Sequence, residues 1–584
     1  MSRTRHDPFA VEIILDGLYA AAREMFVTLG RTAKSPIIYE VLDYACGIYS
    51  PDGKLIAQDN GVTGFLGTLY FSVREVREKH GSDLRPGDLF VSNDPWTGGG
   101  SHLSDVNLVY PIFHGPRLLG FGVNKAHWTE IGGRDPGSWS ATTTEVYQEG
   151  LQFPCIHLYR EGRIDEALVD LIRENVRTPD DTLGDMYAQA ASLRVGGKRM
   201  VELAEKFGDD VVLEAMELHV ERGREAARRA MERLPRGVLK AHDLIENNAL
   251  GEPIPVSLTL TVTDDAFTVD VTGNPPPSAG SINGTAIGVA AQARTVFKIV
   301  SDPHAPVNEG DFLPVRVVAP EGTIFTAPRP AAVSVHWEYK SILADMIFRL
   351  LAPHIPDRLV AGHQLSTCSS IVAGKGEDGE WWLLVEPQLG GWGAAIDADG
   401  QQGQHPVGNG ETYNVPVEVL ETRYPIRVER YGLHTEEAAG AGRQRGGLGV
   451  VKTYRILNPE GASLTATFGR HHRPPWGTEG GEDGSPNRVE IVPKGAQKPS
   501  FVGSTLSRHP LAEGDLIRFI TATGGGWGDP LERDPERVAD DVADGYITRE
   551  VAESSYGVIV QADGGVDLEA TRHLRARRSE RGTT

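Results

Sequence analysis

The pattern of apolar and polar positions changes character several times along the chain. In residues 11–29 the apolar side chains Val11, Ile14, Leu15, Leu18, Met25, Phe26 and Leu29 recur at three- and four-residue spacing, which predicts an amphipathic helix. Residues 36–48 are rich in Ile, Tyr and Val, Ser50-Pro-Asp-Gly53 is a turn tetrapeptide, and residues 54–58 resume an extended pattern. This predicts a hairpin. A second hairpin runs from Val106-Asn-Leu-Val-Tyr110 through His114-Gly-Pro-Arg117 and on to His127.

Between about residues 180 and 234 the period is helical again, with Gly208-Asp-Asp210 separating two segments as a terminating glycine followed by a capping aspartate would. Ile254, Val256, Leu258, Leu260 and Val262 then alternate strictly with other positions, and Phe267, Val269 and Val271 repeat the alternation after a turn. A half-buried hairpin therefore opens the next region. Residues 290–300 and 341–351 read as helices, most of the rest to about residue 519 as strands joined by Gly- and Pro-rich turns, and residues 534–556 as a helical tail. The expected architecture is a multidomain α+β protein, β-rich with mixed sheets, Gly-rich loops and a helical connector. Its expected divisions are an N-terminal α/β domain at 1–178, the connector at 179–240, an α/β domain at 241–420, a β-rich domain at 421–533 and a helical tail at 534–584. No fixed-period repeat is visible.

Charge narrows the functional classes. A net charge of −22 over 584 residues argues against a protein that tracks nucleic-acid phosphates or anionic membranes, both of which need a basic surface. The first apolar stretch is broken by Asp16, and no run of about 18 apolar residues follows, so neither signal peptide nor membrane span is read. The three cysteines, Cys46, Cys155 and Cys368, are too few and too widely spaced for a disulfide framework or a thiolate zinc site; a cytoplasmic location is expected. Glycine is the compositional outlier: 68 residues, about 12 per cent against a usual 7 per cent.

The chemistry concentrates in Ser92-Asn-Asp-Pro-Trp-Thr-Gly-Gly-Gly-Ser-His-Leu-Ser-Asp105 and in Ala126-His127. With the turn at 114–117, positions whose numbers sum to about 231 face each other, so Asp105 lies within one residue of His127 across the ladder. His102 is one tight turn upstream. Two imidazoles and a carboxylate suit a divalent ion, zinc first and manganese second. Asp43, in the apolar context Ile-Ile-Tyr-Glu-Val-Leu-Asp, is a further candidate oxygen ligand, because such a carboxylate is costly to bury without a cation or donor. Glu145 and Glu149 follow closely and are candidate proton carriers, with a solvated helix face as the alternative. Phosphate-binding loops are missing: Gly440-Ala-Gly-Arg-Gln-Arg-Gly-Gly447 lacks the dinucleotide spacing and its helix, and no G-x-x-x-x-G-K-[ST] occurs. Gly390-Gly-Trp-Gly393 and Gly524-Gly-Gly-Trp-Gly528 read as tight turns around a packed indole.

Asn93-Asp-Pro-Trp-Thr-Gly-Gly with His102-Leu-Ser-Asp105, His127-Trp-Thr-Glu-Ile-Gly-Gly133, Glu145-Val-Tyr-Gln-Glu-Gly150, Asn308-Glu-Gly310, Arg445-Gly-Gly447 and Gly524-Gly-Gly-Trp-Gly-Asp-Pro530 together resemble the hydantoinase B/oxoprolinase family. The resemblance spans nearly the whole chain. It implies the metal-binding subunit of an ATP-dependent enzyme that opens a cyclic amide, a hydantoin, 5-oxoproline or a lactam. It also implies a metal held by His102, Asp105 and His127 with Asp43. ATP with Mg would then sit on a separate actin-fold ATPase subunit in a hetero-oligomer such as (αβ)2. Related members serve ketone carboxylases of the acetone and acetophenone type, which is the competing enzymatic expectation; a non-catalytic scaffold is the third. Three departures from the family pattern bear on the substrate: Phe65 stands where many members have histidine, Ser104 replaces proline, and Glu437-Ala-Ala-Gly440 replaces an Asp-Ser-Gly-Gly.

Overall fold

The computed structural model describes residues 7–59, 61–410 and 412–581. It is a mixed α+β multidomain structure with four sheets of seven, four, four and five strands. The seven-stranded sheet is antiparallel throughout. Its order is Leu55–Gln58, Tyr44–Tyr49, Arg117–His127, Asp105–His114, Leu89–Ser92, Ile156–Arg160 and Arg163–Ile164. Both faces are covered. Helix Pro8–Thr32, capped by the Asp7 carboxylate and opened by Pro8, pairs with helix Pro179–Phe207 over one face, where Leu18, Met25, Leu108, Ile112 and Leu193 share a core. Helix Thr63–His80 covers the other, packing Leu69 and Val73 on Val109 and Val123. With a period of two, this second face also receives Asp105, Asn107, Lys125 and His127.

The expected hairpin register is off by one residue, for a local reason. His114 pairs with Arg117 and Phe113 with Leu118, but a bulge between Ile112 and Phe113 shifts the rest of the ladder. Asp105 is thereby placed directly opposite His127. A second difference lies at residues 36–48. Only Tyr44–Tyr49 is strand; Pro36–Tyr39 is a short helix. The Asp185 carboxylate accepts hydrogen bonds from the backbone N–H groups of Lys34 at 2.7 Å and Ser35 at 3.1 Å and from the Ser35 hydroxyl at 2.5 Å. That side-chain anchor turns the chain, and Pro36 at the first helical position suits the turn.

The alternating segment forms strand Ile254–Val262 between Gly237–Ile245 and Phe267–Asp270, with Val315–Val318 added in parallel at the edge. Helices Ala286–Ser301 and Trp337–Leu351 pack with this sheet in a second core. Helix Thr63–His80 meets helix Ala286–Ser301 at Gly67, where a Cβ would lie 2.9 Å from the Ala291 carbonyl oxygen. This close crossing joins the first sheet to the second set of helices.

The glycine clusters at 390–393 and 524–528 are not tight turns. Extended segments run side by side, Gly391 N–H donating to Ala522 O at 2.9 Å, Gly447 to Trp392 at 2.8 Å, Gly524 to Gly447 at 2.8 Å and Gly525 to Gly362 at 2.9 Å. A Cβ at Gly524 would stand 1.9 Å from the Trp392 carbonyl oxygen, so a side chain is excluded by proximity. Gly391, Gly447 and Gly524 keep negative φ. The Trp527 ring packs, buried, beside this lattice.

Candidate metal site

Loop, hairpin and helix converge on one cavity. The turn before strand Asp105–His114 delivers His102, the strand's first residue is Asp105, and His127 ends the partner strand. His102 Nε2 lies 3.1 Å from Asp105 Oδ1 and 3.2 Å from His127 Nδ1, and His127 Nδ1 lies 3.2 Å from Asp105 Oδ1. All three residues are at least 95 per cent buried. Two donor atoms each about 2.1 Å from a common ion stand about 3.0 Å apart in octahedral and about 3.4 Å in tetrahedral arrangement; the observed triangle falls between. His102 Nδ1 is 3.1 Å from the Ser334 carbonyl oxygen, an acceptor that fixes the proton on Nδ1 and leaves the Nε2 lone pair facing the cluster. Asp105 Oδ2 is buried without a hydrogen-bond partner among the described residues. The donor set fits a divalent ion.

The electrostatics agree. Burial pushes the Asp105 carboxyl upward, but His102 and His127 outweigh it and hold the group well below the usual carboxylate range. Asp43 lines the same cavity yet lies outside the close group formed by the other three. Burial raises it to about 7, with His127 opposing and Asp105 adding to the rise. His127 and Asp43 are joined through the backbone, His127 N–H donating to Asp43 O at 3.1 Å.

Glu149 and Glu145 are placed differently from the triad. The buried Glu149 carboxylate accepts from Val333 N–H at 3.0 Å, Ser334 N–H at 3.0 Å and the Thr143 hydroxyl at 3.0 Å, and burial raises it to about 7. Its neighbour Val146 donates to Pro330 O at 2.9 Å. The segment thus clasps residues 330–334 and, through the Ser334 carbonyl, reaches His102. Glu145 is exposed.

The rest of the lining comes from residues that the sequence motifs do not single out. His336 and Lys340, one helical turn apart at the start of helix Trp337–Leu351, and Gln292 of helix Ala286–Ser301 all line the cavity. His336 Nε2 is 3.7 Å from Asp105 Oδ2. Burial lowers Lys340 to about 8, with Asp105 opposing; Lys125, two residues before His127, is lowered to about 7 by burial. Lys125 donates to Gly99 O at 2.6 Å and to the Thr68 hydroxyl, and it sits 5.1 Å over the Phe65 ring. Little in the sequence points to this part of the lining: Lys340 shares its helix with Glu338, Ser341, Asp345 and Arg349, so one more charged residue there does not stand out. The cavity, about 80 Å3, has room for several waters or one small molecule.

The family model described as hydantoinase B/oxoprolinase matches residues 7–530. The B-type subunit of a putative D-/L-hydantoinase from Pseudomonas sp. (strain NS671) is 31% identical over 587 residues, covering 97% of this chain and 98% of that protein. Among solved structures, the ATP-dependent caprolactamase from Pseudomonas jessenii superposes with a TM-score of 0.91 at 25% identity, over 98% of this chain and all of that one. An acetone carboxylase, nucleotide-free, gives 0.89 at 19% identity over 99% of this chain and 84% of that one. Among the described residues no helix is long and apolar enough to cross a membrane.

Proposed function

Because the chain belongs to the hydantoinase B/oxoprolinase family, we propose that it is the metal-bearing subunit of a cytoplasmic, ATP-dependent hydrolase of cyclic amides, working with an actin-fold ATPase subunit that binds ATP and Mg. The observation that carries the reading is the triangle of His102, Asp105 and His127 with its outer support from Ser334. Relatives named as individual subunits of a hydantoinase and of a caprolactamase support a hetero-oligomer.

His102, Asp105 and His127 would hold the ion, zinc or manganese by their donor chemistry, with Asp43 next to it. A divalent ion in such a site supplies Lewis acidity toward water and toward an amide or phosphoryl oxygen. The chain itself does the rest. Ser334 keeps His102 in one tautomer, Glu149 keeps Ser334 in place, and the Asp43 carboxyl oxygen accepts a proton released beside the triad. The cavity walls restrict the reaction to a small molecule. No glycine-rich segment of the sequence has the spacing of a nucleotide cradle, in keeping with activation of the amide oxygen on a partner.

The test is elemental analysis of the full chain, followed by turnover of a lactam, hydantoin and 5-oxoproline panel with ATP and the copurified ATPase subunit. One zinc or manganese per chain and ring opening are expected. Stable incorporation of labelled bicarbonate into a ketone, without ring opening, would replace this reading with a ketone carboxylase. A chain with no stoichiometric metal would leave only a scaffold.

A further inference from the structure

The cavity that the triad lines carries two donors that the protein leaves unused. The Lys340 ammonium makes no hydrogen bond or ion pair among the described residues, although the residue is only 6% exposed and lines the cavity. Gln292 is 2% exposed, lines the same cavity, and its amide nitrogen has no partner among the described residues. A buried donor without a partner is costly. An isolated buried ammonium is more so.

Their proximity is built in. Gly288 lies one helical turn before Gln292, and a Cβ there would be 1.8 Å from the Tyr339 hydroxyl oxygen and 3.1 Å from Lys340 Cε. The helix is therefore bare where the lysine stem passes. Helix Ala286–Ser301 and helix Trp337–Leu351 thus bring an ammonium and an amide together in the cavity that the triad also lines.

One explanation is that Lys340 merely offsets the charge of Asp105. One observation weighs against it. Lys125 lines up with Asp105 from the same sheet face and is fixed by Gly99 and Thr68, so a hydrogen-bonded structural cation is already present, whereas Lys340 has no such partner among the described residues.

We propose that Lys340 and Gln292 form an oxyanion receptor that binds the anionic oxygen group of the substrate, a phosphoryl or a carboxylate group, and so presents the adjacent carbon to the triad. This rests on the metal reading only for what the bound group is presented to; the unpartnered donors stand without it. A strongly desolvated ammonium gains much from a charge-assisted hydrogen bond, and the Gln292 amide adds direction.

The full chain, zinc-loaded and chelated in parallel, is titrated calorimetrically with inorganic phosphate and separately with acetate, using wild type, Lys340→Met and Gln292→Met. Wild type is expected to bind one anion per chain. Lys340→Met should weaken it at least about tenfold and Gln292→Met a few-fold, with zinc content kept and thermal midpoint unchanged or raised, because an unpartnered buried cation has been replaced by an uncharged thioether chain of similar size. Preference for phosphate identifies a phosphoryl group as the natural ligand, preference for acetate a carboxylate. Equal affinity of wild type and Lys340→Met for both anions, or no binding of either to wild type, would overturn the receptor. Absence of zinc with the Lys340-dependent affinity intact would overturn the metal reading alone.

Discussion

The hairpin of the candidate metal site and the glycine lattice are both glycine-rich, and they use the residue for different ends. In the hairpin, glycine supplies conformation: Gly115 turns the chain with φ of 55° and has nothing within 4 Å of where a Cβ would be. In the lattice, glycine supplies nearness: Gly524 has an ordinary φ, but its missing side chain is the space occupied by the Trp392 carbonyl. The first region displays chemistry on a ladder of ordinary strands. The second has almost no side chains to display and acts as a frame, from which residues 364–369 and 404–409 lead to Thr367, Ser369 and Asn409 on the cavity wall.

This difference predicts how each region fails. Gly524→Ala puts a methyl against backbone, which cannot move aside as a flexible side chain would, and should cost more than about 4 kcal/mol; the variant is expected to be insoluble or unfolded by circular dichroism. A soluble Gly524→Ala chain with the wild-type melting temperature would show that the lattice yields. His102→Ala should spare the fold and abolish function. Metal content should drop to background and turnover fall by about a thousandfold, roughly 4 kcal/mol in the barrier, while the metal-free chain melts within about 2 kcal/mol of metal-free wild type. A variant that keeps stoichiometric metal would remove His102 from the ligand set.

Glu149 sharpens the contrast, since it is a buried carboxyl that supports the hairpin from outside. Its carboxyl is raised from 4.5 to about 7 by burial. Between those values the native chain holds a proton that the unfolded chain has released, so its contribution to stability is complete below pH 4.5 and is lost as pH rises through 7. Glu149→Gln should remove that loss, worth about 3 kcal/mol. Urea denaturation of both proteins across this range reads the difference, and parallel curves would mean that this carboxyl is not the cause. The smallest effect belongs to the hairpin turn: Gly115→Ala, strained but unobstructed, should cost about 1 kcal/mol and leave metal content unchanged.

How much is legible in the sequence follows from the same contrast. The triad can be found because its parts are local: two residues separate His102 from Asp105, and one turn relates Asp105 to His127. The register arithmetic misses by a single residue because a bulge at Ile112/Phe113 cannot be read from the alternation of apolar side chains. The helix at Pro36–Tyr39 is hidden by its β-branched and aromatic residues, and the anchor that bends it, Asp185, is 150 positions away. The lattice reads as turns because every glycine's neighbour comes from a distant segment, and proximity of that kind leaves no periodic trace. The rest of the cavity lining escapes for the same reason. His336 caps, and Lys340 and Gln292 sit within, helices that carry several other polar residues, so nothing in the local pattern sets these three apart.

The bond from the Ser334 carbonyl to His102 has a consequence for the order of events as the chain leaves the ribosome. A nascent chain that has emerged to its second hairpin already contains His102, Asp105 and His127, but the acceptor that sets the His102 tautomer is encoded more than two hundred residues later. Capture of the proposed ion is therefore expected to follow synthesis of the second half of the cavity, and its presence would then certify that the two halves have met.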